Sequence, residues 1–333
     1  MREKLILGTR GSALALWQAN WIKELLEAAS GLPVEIRTIK TKGDKITDVP
    51  LAKVGGKGLF TKEIEVELLA GEIDLAVHSM KDVPTELPAG LTLAGMPPRA
   101  DASDVLVSHA GEDLLSLPGG GRVGTSSLRR VSQVRALRPD VEIVDIRGNL
   151  DTRMRKAEEG AVDMVILAAA GIKRMGWGER ITAAIPVEQM VSAVGQGAVG
   201  VEIREDDEFM QGCCAQISDA DTLACVRAER VVMNLLEGGC QVPIGAYARF
   251  VAAGEGAGGG AAAGADAGAG ERRMVLDAVV GSIDGTRIVR AHVEGAPDAG
   301  LDLGRQATEE LKAAGALPIL NEIRRANGAA DLL

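Results

Sequence analysis

Three groups of residues in this 333-residue chain combine side-chain types that chemistry needs. The first is a thiol. In Leu236-Glu237-Gly238-Gly239-Cys240-Gln241-Val242-Pro243-Ile244-Gly245 an apolar helical run ends at Glu237, two glycines permit the left-handed backbone that closes helices, and Pro243 prevents the helix from resuming. Cys240 therefore sits on a tight loop where a bulky group can be attached through sulfur, although a lone cysteine is also a common small core residue. The second is a carboxylate. His78-Ser79-Met80-Lys81-Asp82-Val83-Pro84 follows a buried-looking strand, so its polar side chains emerge at a strand's carboxyl end, where ligands of α/β sheets gather. Asp82, beside Lys81, is suited to accept N–H hydrogen bonds and to offset a developing cation. A surface turn ahead of Pro84 is the plainer alternative, and His78 reads as a structural hydrogen-bonding residue rather than a base.

The third group is a pair of matched anion cradles, Gly8-Thr9-Arg10-Gly11-Ser12-Ala13-Leu14 and Gly124-Thr125-Ser126-Ser127-Leu128-Arg129-Arg130. Each supplies a Gly turn, hydroxyls and arginine at a strand-to-helix junction, where free backbone N–H groups and the helix dipole favour carboxylate or phosphate. Ordinary N-capping by Ser12 and Ser127 is the alternative for either alone. Further arginines follow in Arg147-Gly148-Asn149, Arg153, Arg155 and Lys173-Arg174. Residues 121–180 hold twelve Lys/Arg against eight Asp/Glu, a local +4 inside a chain of net charge -10. The ligand should be a polyanion. Lys53-Val54-Gly55-Gly56-Lys57-Gly58 superficially resembles a P-loop, but no Ser/Thr follows Lys57 to hold magnesium, so a basic lid fits it better.

The overall acidity and seven aromatic residues argue against nucleic acid or an anionic membrane as partner. No uncharged run reaches the ~18 residues of a spanning helix, and the few apolar residues after Met1-Arg2-Glu3-Lys4 are too short for a signal peptide, so a soluble cytoplasmic protein is expected. Cys213, Cys214, Cys225 and Cys240 lack paired zinc spacing, the vicinal pair would close only a strained ring, and His78, His109 and His292 share no motif. Neither a metal site nor a disulfide framework is expected.

The elements that must position these groups alternate between short apolar strands and helical patterns through roughly the first 200 residues. Strands at Leu5-Ile6-Leu7, Val34 to Ile39 and Asp74 to Val77 belong to one α/β domain. A helix from Ser12 places Leu14, Trp17, Trp21 and Leu25 on a core-facing stripe. After Pro97-Pro98 the alternation restarts at Val105-Leu106-Val107 and Arg122-Val123-Gly124 in a second domain. A strand from Ala198 to Ile203 follows, and then a smaller α+β unit with strands at Ala246–Val251, Val275–Ser282 and Arg287–Val293. Ala252 to Gly270, almost entirely Gly and Ala, has no apolar bulk to bury and is expected to be a disordered insertion in a hairpin.

Together these motifs resemble the porphobilinogen deaminase (hydroxymethylbilane synthase) family over nearly the whole chain. The matching segments are Thr9-Arg10-Gly11-Ser12, Pro50 to Phe60, His78 to Pro84, Val123 to Arg130, Arg147-Gly148-Asn149, Val194 to Gly200 and Leu236 to Gly245. The Gly/Ala insertion departs from the family's short hairpin loop. The resemblance implies a transferase of tetrapyrrole (heme) biosynthesis that condenses four porphobilinogen molecules onto a dipyrromethane cofactor, releasing hydroxymethylbilane and ammonia. One such cofactor would be bound to Cys240 through a thioether. Asp82 would be catalytic. Lys81, Thr125, Ser127, Arg129, Arg130, Asn149 and Gln196 would hold cofactor, and Arg10, Ser12, Arg147, Arg153 and Arg174 substrate. The implied fold class is α/β: two periplasmic-binding-protein-like domains with a cleft between them (residues 1–97 with 198–216, and 98–197) plus an α+β domain, 217–333, that carries Cys240. A monomer is the family expectation. A non-catalytic solute-binding module remains the chief rival, since twin anion cradles would serve it equally; a cysteine hydrolase lacks a His paired by motif with Cys240.

Overall fold

The computed structural model describes residues 2–45, 58–236, 242–252, 272–326 and 328. Cys240, most of the expected lid (53–57) and nearly all of the Gly/Ala insertion (253–270) lie outside these residues. The chain opens with β1 (Leu5–Thr9), α1 (Ala13–Ser30), β2 (Val34–Thr38), a short α2 (Lys42–Lys45), α3 (Lys62–Leu69), β3 (Leu75–Ser79) and β4 (Leu91–Gly95). Next come β5 (Asp104–Ser108), β6 (Arg122–Gly124), α4 (Leu128–Leu137), β7 (Glu142–Val144), α5 (Leu150–Glu158), β8 (Met164–Ala168), α6 (Ala169–Arg174) and β9 (Ala183–Ile185). The remainder is β10 (Val199–Arg204), α7 (Glu208–Ile217), α8 (Ala220–Leu235), β11 (Ile244–Ala252), β12 (Arg272–Gly281), β13 (Ile288–Gly295), α9 (Gly300–Ala313) and α10 (Ala316–Ala326).

Of the described residues, those in 2–45 and 58–100 gather with 197–223 into one compact unit, and those in 101–196 and 224–328 into a second. The sheet of the first runs β2-β1-β3-β10-β4, and the α/β sheet of the second runs β7-β6-β8-β5-β9. The two follow one plan. In each, three parallel strands are joined by an antiparallel fourth, β10 against β3 and β4, β5 against β8 and β9. These are the two α/β sheets that the resemblance implied. Their inner strands are largely apolar because helices cover both faces, β8 being buried at every residue and β3 at all but Ser79, and the polar exceptions His78, Glu202 and Asp104 are buried too. The second unit also holds the antiparallel meander β11-β12-β13. Leu303, Ala307 and Leu311 of α9 and Ile319, Leu320 and Ile323 of α10 pack on its Leu276, Ala278 and Val280. Ala252 is still a strand residue, directly paired with Arg272.

The expected stripe on α1 holds in part, since Trp21 and Leu25 pack half-buried against the core, but its centre needs correction. Its buried residues are Gln18, Ala19, Ile22 and Leu26, one position round from the expected set. Trp17 is 38% exposed, its ring 5.9 Å from that of Trp21. Buried Gln18 reaches Ser79 at the carboxyl end of β3.

Candidate active site

In the first unit, β1 and β3 run parallel, so the segments that leave them emerge at the same edge of the sheet. Arg10 and Ser12 come from the first, Lys81 and Asp82 from the second, and all four line one pocket. Asp82 lies in a single helical turn, Met80–Asp82, immediately after β3. Its carboxylate has no hydrogen bond or ion pair among the described residues, which leaves both oxygens for a ligand. Gly200 of β10 lies beneath this turn: a Cβ there would collide with Met80 Sδ and press on Leu93 at 3.2 Å. Ser12 caps α1, its hydroxyl accepting from the Ala15 N–H at 3.3 Å. Gln18 and Ser79 exchange hydrogen bonds of 2.9 and 3.1 Å on the pocket wall.

Arg10 is not waiting unpaired. Its Nε and Nη2 donate to Asp44 Oδ1 at 3.1 and 2.5 Å, and the guanidinium lies 4.1 Å from the centre of the Phe60 ring. Burial works against the Asp44 carboxylate, but the bonds from Arg10 and Thr41 outweigh it and hold its pKa below the ordinary range. An arriving carboxylate must therefore share Arg10 with Asp44. His78, read as structural, does have a structural partner: its Nε2 is 2.9 Å from Glu202 Oε2, with both side chains buried.

In the second unit the β6-to-α4 turn delivers Thr125, Ser127, Arg129 and Arg130. Here the plain capping alternative fails, because the Ser127 hydroxyl makes no cap hydrogen bond. Thr125 is buried and accepts from the Ser127 N–H at 3.2 Å. Arg129 and Arg130 are also buried, and both are tied to Asp104 at the start of β5. Arg129 Nη1 and Nη2 donate to Asp104 at 2.6 and 3.2 Å, and Arg130 Nε and Nη2 at 3.0 and 2.7 Å. Gln196 adds a bond to the same carboxylate at 3.1 Å. Burial opposes the Asp104 charge, and the two guanidinium groups overcome that opposition to hold its pKa far below the usual carboxylate range. Arg130, with its remaining Nη1 on the Ile166 carbonyl at 2.8 Å, has its own pKa lowered by burial. Two cations against one anion leave one positive charge here, beside the N-terminus of α4, whose first N–H groups have no helical partner. The donor set thus fits a carboxylate-bearing cofactor.

Arg147 and Asn149 lie in the β7-to-α5 connection and Arg153 in the first turns of α5. Asn149 caps α5, its Oδ1 accepting from the Thr152 N–H at 2.9 Å. Gly148 has φ of +113° and a Cβ would meet Thr152 Cγ2 at 2.7 Å, so only glycine fits this turn. Arg147 reaches Asp145 at 3.4 Å, and Arg153 Nε donates to the Gly148 carbonyl at 2.9 Å. Arg174 ends α6, where burial brings its pKa down to about 10. Among the described residues no group of three or more His, Cys, Asp or Glu is placed to hold a metal ion.

Sequence reasoning missed Asp44, Asp104, Glu202 and Gln18. Asp104 and Glu202 left a usable signal, a charged residue in an otherwise apolar strand, in Asp104-Val105-Leu106-Val107 and Val199-Gly200-Val201-Glu202-Ile203.

Comparison with known proteins gives the same assignment along both units. The family described as porphobilinogen deaminase, dipyromethane cofactor binding domain, matches residues 5–212, and porphobilinogen deaminase, C-terminal domain, matches residues 223–313. The porphobilinogen deaminase of Syntrophobacter fumaroxidans is 49% identical over 98% of this chain and 100% of its own. Those of Desulforamulus reducens and Geobacter metallireducens are 46% and 47% identical, over 97% and 96% of this chain and 99% and 95% of theirs. The chain belongs to the porphobilinogen deaminase family.

Proposed function

We propose that the chain joins four porphobilinogen molecules head to tail on a dipyrromethane primer carried by Cys240, releasing four molecules of ammonia and then, as one molecule of water takes the place of the primer, hydroxymethylbilane. The observation that carries this reading is the Asp82 carboxylate, without a partner among the described residues, on a pocket shared with Arg10, Ser12 and Lys81. When bound, the cofactor supplies a free pyrrole α-carbon as the first nucleophile. Everything else is asked of the chain's own residues. Asp82 accepts the pyrrole N–H of the incoming substrate and stabilises the cation that forms as its C–N bond breaks and ammonia leaves with the electron pair. Arg10, Ser12, Arg147, Arg153 and Arg174 bind the acetate and propionate arms of substrate and growing chain. Lys81, Thr125, Ser127, Arg129, Arg130, Asn149 and Gln196 hold those of the cofactor, with one uncompensated charge at the Arg129–Arg130–Asp104 cluster supporting that role.

Residues 1–97 with 198–216, 98–197 and 217–333 form the three domains of this reading, in which the protein acts as a cytoplasmic monomer. Among the described residues no helix is long and apolar enough to cross a membrane. Intact mass under denaturing conditions tests the proposal. The purified protein should carry an increment matching two linked pyrroles, and Cys240→Ser should lack it and be almost inactive. An unmodified parent chain would favour a solute-binding module, and full activity in Cys240→Ser would remove that cysteine from the chemistry.

A further inference from the structure

The wall behind Asp82 contains a buried acid and imidazole cluster that the chemistry above does not use. His78 forms part of the same pocket as Asp82 although the residue is only 5% exposed. Its Nε2 meets Glu202 of β10 at 2.9 Å, and Nδ1 has no partner among the described residues. Glu65 of α3 lies within electrostatic reach of both. Oε1 of Glu202 and Oε1 of Glu65 are buried with no hydrogen-bond partner among the described residues. Buried acceptors without donors are rare, and two in one cluster call for a reason beyond holding a ring in place. Burial pushes the Glu65 carboxyl up, and the nearby Glu202 charge pushes in the same direction.

The reaction has a matching need. After each C–C bond forms, the attacked ring holds a tetrahedral α-carbon whose proton must leave. Were Asp82 to take it, the carboxylate would be neutral when the next cation forms. We propose that His78, oriented by Glu202, is the base that removes this α-proton, an inference that rests on the deaminase reading given above. The C–H bond breaks, its electron pair returns to the ring to restore aromaticity, and the proton passes to Nδ1 while Nε2–H stays on Glu202. The proton then leaves with the released ammonia as ammonium, so that each addition balances. Glu65 and Glu202 give the imidazolium a negative surrounding and the proton a place to wait.

The test uses the cofactor-loaded enzyme and porphobilinogen deuterated at its free α-position. His78→Gln should lower kcat on the order of 100-fold, the range that loss of a general base commonly produces. Its α-deuterium isotope effect should rise above the parent's, because proton removal has become slow. Asp82→Asn slows the earlier C–N cleavage and should leave the isotope effect at the parent's value. Glu202→Gln, which keeps the volume, should raise the isotope effect with a smaller loss of rate. Nitrogen NMR of the parent protein labelled with ¹⁵N-histidine should show His78 with a proton on Nε2 and a bare Nδ1, a readout that needs no turnover. A proton on Nδ1 in the resting enzyme overturns the proposal. So do parental isotope effects in both His78→Gln and Glu202→Gln, with the deaminase reading left standing. A parent protein that carries no pyrrole adduct and consumes no porphobilinogen overturns that reading instead. Should His78→Gln fail to fold, the Glu202→Gln isotope effect and the parent spectrum decide.

Discussion

Replacing Asp104 by Asn measures what the buried arginine pair requires. The side chains of Asp104, Arg129 and Arg130 are 0%, 5% and 7% exposed, so water does not screen them. The carboxylate accepts four guanidinium bonds between 2.6 and 3.2 Å and a fifth from Gln196 at 3.1 Å. Asn keeps one carbonyl oxygen but turns an NH₂ donor toward a ring of donors, and the local charge rises by one. Breaking a buried pair by removing one partner costs about 3 to 5 kcal/mol, against a domain stability of roughly 5 to 15 kcal/mol. Urea unfolding followed by circular dichroism, under reducing conditions at neutral pH, should show that loss. In an Arg130→Met background the same replacement should cost less by about 2 kcal/mol, because only one cation is then left exposed to the missing charge. The sign with pH follows from the depressed Asp104 pKa. Its contribution is complete above the ordinary carboxylate range and is lost as pH falls toward the depressed value, so parent and variant should converge only in strong acid. A loss under about 1 kcal/mol, or full additivity with Arg130→Met, would refute the view that Asp104 anchors the pair electrostatically.

Three further outcomes are expected. Asp82→Asn should load cofactor yet lose on the order of 100-fold or more in turnover, and mass, circular dichroism and porphobilinogen consumption together check it. Gly200→Ala should lower kcat through the Met80–Asp82 turn, at a stability cost of about 1 to 3 kcal/mol typical of overpacking, measured by urea unfolding beside steady-state kinetics. Glu65→Gln should stabilise the protein as pH rises: a carboxyl with a raised folded pKa contributes stability when protonated and loses it as pH climbs through that value, so the variant's advantage in thermal melting should grow as pH rises above the ordinary carboxylate range.

The sequence made some of this legible and hid the rest for identifiable reasons. The strands at Leu5, Val34, Asp74, Val105 and Val199 could be read because buried strands of α/β sheets are continuous apolar runs, and the polar residues after Ser79 mark where such a strand ends. Asp82, Arg10 and the β6-to-α4 turn stood out by composition. Their partners did not, because pairing is decided by topology: Arg129 and Asp104 are 25 positions apart, and His78 and Glu202 are 124 apart. The centre of the α1 face lies one position from the expected stripe because helical spacing fits two neighbouring stripes: Trp21 and Leu25 flank the core, and Trp17 is exposed. Gln18, polar and 2% exposed, is held by Ser79, a bond between residues 61 positions apart.

The place of β10 has a consequence for how the chain is made. A ribosome delivers residues 2 to 100 long before Val199, yet β10 lies between β3 and β4 and satisfies the facing backbone of both. Until it arrives, the nascent first unit has β4 with no strand to pair with and a central strand exposed along one side. The second α/β sheet needs nothing beyond Ile185 to complete its own five strands, so it can close first although it is translated later. Such long-range strand insertion slows folding and lengthens exposure of an adhesive edge, which makes the first hundred residues the stretch most in need of a chaperone during synthesis.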